Sequence, residues 1–315
     1  MAEAERTIGI DTSCYTTSVA AADRSTVSQR KTMLSVPLGS RGLRQSDAVF
    51  QHVKNLPELV EGILSECRDC RIRAVGVSSR PTDAEGSYMP VFLVGRLAAV
   101  SVAQALGVPL IETTHQAGHI RAALYGNEDL LEKDSLIALH LSGGTTDVLH
   151  VEIRNRMPDT IQCIGGSSDL HAGQFVDRVG VRMGLPFPSG QSLEAVARKA
   201  QRRDISIPST VTGSVCSFSG QESYALRLWE NGISNEEIAY AVYDCLARTI
   251  VKMIKSAAAR YPGTPVLLSG GVAGSALLRE MLRDRTGLEI RYAREGFSSD
   301  NAAGIALIAL DRTAE

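Results

Sequence analysis

One pattern constrains this chain more than any other. A short β-rich run enters a small polar turn carrying an aspartate and leaves it as a second strand, and the pattern occurs twice. The first copy is 7–10, then Asp11-Thr12-Ser13, then 16–22. The second is 135–141, then Ser142-Gly143-Gly144-Thr145-Thr146-Asp147, then 148–153. Helical apolar spacing follows each copy, at 46–66, 92–106 and 115–124 after the first and at 173–183, 192–201 and 235–260 after the second. Strands are predicted at 72–77, 110–114 and 266–268, and a last apolar helix at 303–310. Alternating β and α elements, twice over, predict an α/β protein of two similar lobes with a cleft between them. The expected boundaries are 1–130 for the first lobe and 131–298 for the second. A C-terminal segment, 299–315, is expected to pack back on the first lobe.

At 315 residues and 44% hydrophobic, the chain can fill two cores. A net charge of −2 supplies no global field toward nucleic acid or membrane. The charged start lacks the apolar stretch of a secretory signal, and no apolar run reaches the roughly 18–20 residues that span a bilayer. A soluble, cytoplasmic protein with reduced thiols and no membrane partner is expected. Of the six cysteines, only Cys67 and Cys70 form a C-x-x-C. It closes a helical pattern without a second pair at zinc-ribbon spacing, so it reads as incidental.

Three turns share one character: Asp11-Thr12-Ser13, Ser142–Thr146 and Ser269-Gly270-Gly271. Glycines let backbone approach a phosphate, and exposed N–H groups and hydroxyls donate to its oxygens. An adjacent Asp can hold the water shell of Mg²⁺ or orient a nucleophile. The first turn supplies the candidate catalytic residues, Asp11 and Ser13. Each turn alone is equally a tight hairpin. Neither a Walker motif nor a strand-to-helix G-x-G-x-x-G is present.

His115 and His119 stand four residues apart on a predicted helix, one turn apart on one face, as metal ligands often do. Gln116 replaces the Glu of H-E-x-x-H, which argues against a zinc protease. A third ligand is sought in Asp300, just ahead of the last helix. The alternatives are surface histidines and a helix N-cap.

In co-linear order these motifs resemble the TsaD/Kae-type family (Gcp, formerly called O-sialoglycoprotein endopeptidases). The matching stretches are Ile8-Gly9-Ile10-Asp11-Thr12-Ser13, Thr114-His115-Gln116-Ala117-Gly118-His119, Ser142–Thr146 and Gly173-Gln174-Phe175-Val176-Asp177-Arg178. Gly184–Gly190, Ser217-Phe218-Ser219-Gly220, Ser269-Gly270-Gly271-Val272 and Ser299-Asp300-Asn301 complete the set. The resemblance implies the ASKHA fold of actin and sugar kinases, with duplicated RNase H-like domains. It implies transfer of a threonylcarbamoyl group from its adenylate to a tRNA adenosine beside the anticodon. It also implies one divalent metal, Fe or Zn, on His115, His119 and Asp300, acting as a Lewis acid on the carbamoyl carbonyl. The adenine nucleotide or acyl-adenylate, with or without Mg, would meet Ser142, Gly143, Gly144, Thr145, Thr146, Asp177, Gly190, Glu194, Gly270, Gly271 and Ser275. Partner proteins would bind the helices of the first lobe.

The chain departs from the family pattern. Thr145 follows Gly-Gly where the family has His or Asn, and Ser275 stands where it has Asn. Leu43–Asp47 replaces a Gly-Gly-Val-Val-Pro-Glu segment ahead of Gln51-His52, and Ser78-Ser79-Arg80-Pro81 replaces Gly-Pro-Gly. A divergent paralogue is implied, with the acyl and acceptor pocket rebuilt. The competing functions are an ATPase or kinase of the same fold, with Asp11 or Asp147 as base, and a catalytically weak nucleotide-binding subunit.

Overall fold

A computed structural model of the chain describes residues 4–36, 43–298 and 302–313. The chain opens with β1 (Ala4–Thr12), β2 (Thr16–Ala22) and β3 (Val27–Met33), then α1 (Gln45–Glu66), β4 (Cys70–Arg80), α2 (Phe92–Leu106), β5 (Leu110–Thr114) and α3 (His115–Ala123). It continues with β6 (Ser135–Leu141), β7 (Thr146–Arg154), β8 (Met157–Ser167), α4 (Ala172–Arg182) and α5 (Gly190–Ala197). Then come β9 (Val211–Thr212), β10 (Val215–Cys216), α6 (Ser219–Glu230), α7 (Asn235–Arg260), β11 (Val266–Ser269), α8 (Ala276–Thr286), β12 (Ile290–Tyr292) and α9 (Ala303–Thr313).

These elements form two units, each with its own sheet. The first unit runs to Glu128 and includes α9. Its sheet has the order β3-β2-β1-β4-β5, antiparallel in the first three strands and parallel beyond. The second unit's sheet has the order β12-β11-β6-β7-β8-β10-β9. Its segment β8-β7-β6-β11-β12 repeats the strand order of the first sheet, so the aspartate-bearing turns β1–β2 and β6–β7 occupy equivalent hairpins.

Local chemistry explains the boundaries near the sites. Gly107 adopts a left-handed φ of 65° and ends α2. Thr114 N-caps α3 by accepting from the Ala117 N–H at 3.1 Å, which puts His115 at the first position of the helix. Ser234 caps α7 in the same way. On α1, Ala48, His52, Leu56, Leu59 and Ile63 form the buried stripe; Leu56, Leu59 and Ile63 pack with Ile8, Ile10, Val75, Val77 and Ala99 in the first core, and Ala48 packs with Leu34, Val91 and Phe92. The second core is larger and centres on α7, whose Leu246, Ile250, Met253 and Ile254 meet Ile137, Leu139, Phe175 and Leu268.

α9 packs against β1, β4 and α3. Side chains would forbid that approach: a Cβ on Gly9 would sit 2.4 Å from the Ala306 nitrogen, and one on Gly304 would sit 1.8 Å from the Gly118 oxygen. Thr7 Oγ1 adds a hydrogen bond to the Ala306 carbonyl at 2.7 Å.

Several elements went unpredicted. The strand β3, the long β8, the short β9, β10 and β12, and the helices α6 and α8 all lie in stretches to which the sequence reading assigns no element. β7 begins at Thr146, two residues earlier than expected, so the turn is tighter than its sequence suggests. No helix among the described residues is long and apolar enough to cross a membrane.

Candidate active site

In the first unit the end of β1 and the start of α3 converge. Asp11 is fully buried. Its Oδ1 lies 2.9 Å from His115 Nδ1 and also accepts from the Ser78 hydroxyl, while its Oδ2 is buried without a hydrogen-bond partner. A carboxylate only accepts, so the His115 proton sits on Nδ1 and its Nε2 presents a lone pair. That Nε2 is 2.9 Å from His119 Nε2, with the rings edge to face at 4.3 Å between centroids. Two imidazole nitrogens therefore lie close enough together to bind one ion, and a carboxylate fixes one tautomer from behind. Metal-binding histidines are commonly supported in this way.

Imidazoles suit Fe and Zn, and the donors present fit such an ion. Asp300, the expected third ligand, lies outside the described residues. Among those that are described, no cluster of three His, Cys, Asp or Glu side chains forms a metal site.

Ser13 is buried and its hydroxyl turns to the Thr16 carbonyl at 3.4 Å. Its own carbonyl accepts from His52 Nε2 at 2.8 Å, and His52 Nδ1 lies 2.8 Å from the Thr17 hydroxyl. Burial pushes the His52 imidazole below its usual range, so it stays neutral. Sequence gave His52 no role, yet it ties α1 to the candidate catalytic turn.

In the second unit the Ser142–Thr146 turn closes with a Ser142 N–H to Thr145 carbonyl bond of 2.8 Å. The positions where Cβ atoms would stand on Gly143 and Gly144 are open. Gly270 has φ of 93°, and a Cβ there would strike the Leu141 oxygen at 2.2 Å, so glycine is required; Gly271 beside it is open.

Asp177 accepts from the Ser189 N–H at 2.7 Å, and burial raises its carboxyl above the usual range. Gly190 faces open space, and its carbonyl accepts from the Tyr243 hydroxyl at 2.9 Å. Burial pushes that phenol upward as well. Glu194 accepts from the Leu277 N–H at 2.9 Å and pairs with Arg198 at 3.1 Å, while Ser275 N-caps α8. Glu194 thus holds α8 against α5, and Ser275 fixes where α8 begins. Next to them Arg198, Arg203, Tyr240, Leu277, Glu280, Met281 and Asp284 line a cavity of about 180 Å³. Arg203 stacks its guanidinium over the Tyr240 ring at 5.0 Å. Neither Tyr243 nor this cavity was foreseen, because each depends on α5, α7 and α8 packing together.

Two sheets of repeated topology with these turns at their hairpins define the ASKHA class. Superposition agrees: the Acidaminococcus fermentans (R)-2-hydroxyglutaryl-CoA dehydratase component A matches with a TM-score of 0.60 at 17% identity, over 99% of this chain and 100% of that one. Within that class the chain belongs to the TsaD family, tRNA N6-adenosine threonylcarbamoyltransferase, whose profile matches residues 32–307. Its relatives include the tRNA N6-adenosine threonylcarbamoyltransferases of Methanopyrus kandleri and Thermus thermophilus. The former is 30% identical over 86% of this chain and 77% of the relative. The latter is 31% identical over 97% and 92%. The family is one of transferases, not proteases.

Proposed function

We propose that this chain is a metal-dependent, nucleotide-binding transferase that moves a threonylcarbamoyl or carbamoyl group from an acyl-adenylate to an amine, with a tRNA adenosine as acceptor. The observation that carries the metal reading is the convergence of His115 and His119 Nε2 at 2.9 Å with Asp11 behind them. Asp300 would complete the ligand set. A bound Fe or Zn would polarise the carbamoyl carbonyl.

The chain's own residues then have defined tasks. Asp11 keeps the His115 proton on Nδ1, leaving Nε2 as a donor atom. Gly143, Gly144 and Gly271 leave room for a phosphate, and Gly270 permits the close turn beside Gly271. The Asp177 carboxylate accepts from ribose hydroxyls beside Gly190. The cavity walled by Tyr240, Arg203 and Leu277 suits a base, with an aromatic and guanidinium wall and an apolar floor. Phe50 and Val53 of α1 and Leu93 and Leu97 of α2 are exposed, which supports docking of a family-type protein partner on those helices.

Two measurements test this reading. The purified chain should carry Fe or Zn, and His115→Ala should remove it together with acyl transfer. Metal-free protein, or activity indifferent to His115→Ala, overturns the metal assignment. The gene should also replace the tRNA-modifying enzyme in a depleted strain. Failure to do so, with adenylate binding intact, moves the acceptor elsewhere.

A further inference from the structure

Gly190 has no side chain through which the fold could hold it, and glycine has the freest backbone of any residue. It stands at the first position of α5, and Ser189 ahead of it makes no side-chain cap to that helix. Two contacts from other helices hold the peptides on either side. The Asp177 carboxylate of α4 accepts from the Ser189 N–H at 2.7 Å. The Tyr243 hydroxyl of α7 donates to the Gly190 carbonyl at 2.9 Å. The place where a Cβ would stand on Gly190 is open. The glycine is thus pinned through its backbone while the space beside its Cα stays clear.

Tyr243 is the largest fully buried side chain among the described residues, and it lies in the second core with Leu193 of α5 and Leu278 of α8. A phenylalanine would fill that volume without a polar atom to desolvate. The phenol oxygen is accommodated there by the bond it makes to Gly190. Burial pushes the phenol upward, so it keeps its proton and remains a donor at neutral pH. Ser275, which starts α8 by accepting from the Leu278 N–H at 3.2 Å, lies beside the same phenol.

We propose that Tyr243 is a positioning residue of the nucleotide site: its hydroxyl fixes the Gly190 peptide, so that adenosine meets a preset backbone beside the Asp177 carboxylate. The phenol acts from the core and does not itself touch the ligand. The inference rests on the reading that Asp177 and Gly190 receive the ribose of an adenylate.

Calorimetric titration of the full chain with AMP and with adenosine tests it. Tyr243→Phe removes one oxygen and keeps the packed ring. It should weaken AMP and adenosine by the same factor, about fivefold, the worth of one hydrogen bond. Ile250→Val is the control, because it loosens the same core about two turns further along α7. It should bind both probes as the wild type does. Equal weakening in the two variants would trace the loss to general packing and overturn the assignment. Wild-type affinity in Tyr243→Phe, or a fall confined to AMP, would overturn it as well. In each of these cases the adenylate reading stands. A wild-type chain that binds neither probe overturns both.

Discussion

Asp11 and His115, 104 residues apart in sequence, meet at 2.9 Å, carboxylate Oδ1 to imidazole Nδ1. The contact joins the turn after the first strand to the first residue of α3 and decides which nitrogen of His115 can face an ion. Removing the carboxylate should cost metal affinity without removing a ligand. Asp11→Ala is expected to weaken zinc or iron binding about 10- to 100-fold, the usual cost of losing such a support. Competition titration against a chelator checks this, and unchanged affinity would separate Asp11 from the metal.

Gly304→Ala should destabilise the first unit. The new Cβ would lie 1.8 Å from the backbone oxygen of Gly118, and neither backbone can yield without shifting α3 against α9. A loss of about 3 kcal/mol is expected, the upper end of overpacking costs. Chemical denaturation measures it. The segment carrying His119 moves with α3, so the same variant should also bind metal less well. A midpoint equal to wild type would contradict the seating of α9.

Asp177→Asn should separate stability from binding. Burial raises the Asp177 carboxyl, so the folded state holds its proton more readily than the unfolded state does. Ionisation at neutral pH therefore works against folding, increasingly as pH rises through the folded value. An amide oxygen can still accept from the Ser189 N–H, now without a buried charge. The variant should melt at or above the wild-type temperature at pH 7 yet bind AMP more weakly. A variant that melts lower at pH 7, or one that binds as wild type does, would count against this.

Asp169 has the opposite sign. Its carboxylate accepts from the amides of Leu170, Phe218 and Ser219 and from the Ser219 hydroxyl, and these bonds hold it below the usual carboxylate range. A lowered folded value contributes stability that is present above the ordinary carboxylate range and lost as pH falls through the folded value. The melting temperature should drop on acidification, and less steeply in Asp169→Asn. Thermal melts from pH 7 to pH 3 compare the two slopes. Parallel slopes would show that Asp169 does not anchor the start of α6.

Much of this was legible in order and spacing. α2, β2, β5, β6 and α7 were predicted at their observed bounds, because long apolar periodicity and sharp stops such as Gly107 act locally. The strand β8 was missed because its residues, with Pro158, Asp159 and a Gly-Gly pair, are poor strand formers that pair only through their neighbours. α8 was a different omission. Leu277, Leu278, Met281 and Leu282 have helical spacing that a closer count would have caught.

By itself, the sequence determined which chemistry was at hand: two imidazoles one helical turn apart, glycines where backbone must approach, and a motif order shared with a transferase family. Each of these depends on residue type and short spacing, which a sequence displays directly. Only the tertiary structure decided which groups act on which. Asp11 supports His115, His52 steadies the Ser13 turn, and Glu194 braces α8, all through contacts between elements far apart in the chain. Such contacts rest on how buried faces pack, and a buried carboxylate or imidazole has its partner chosen by the fold around it.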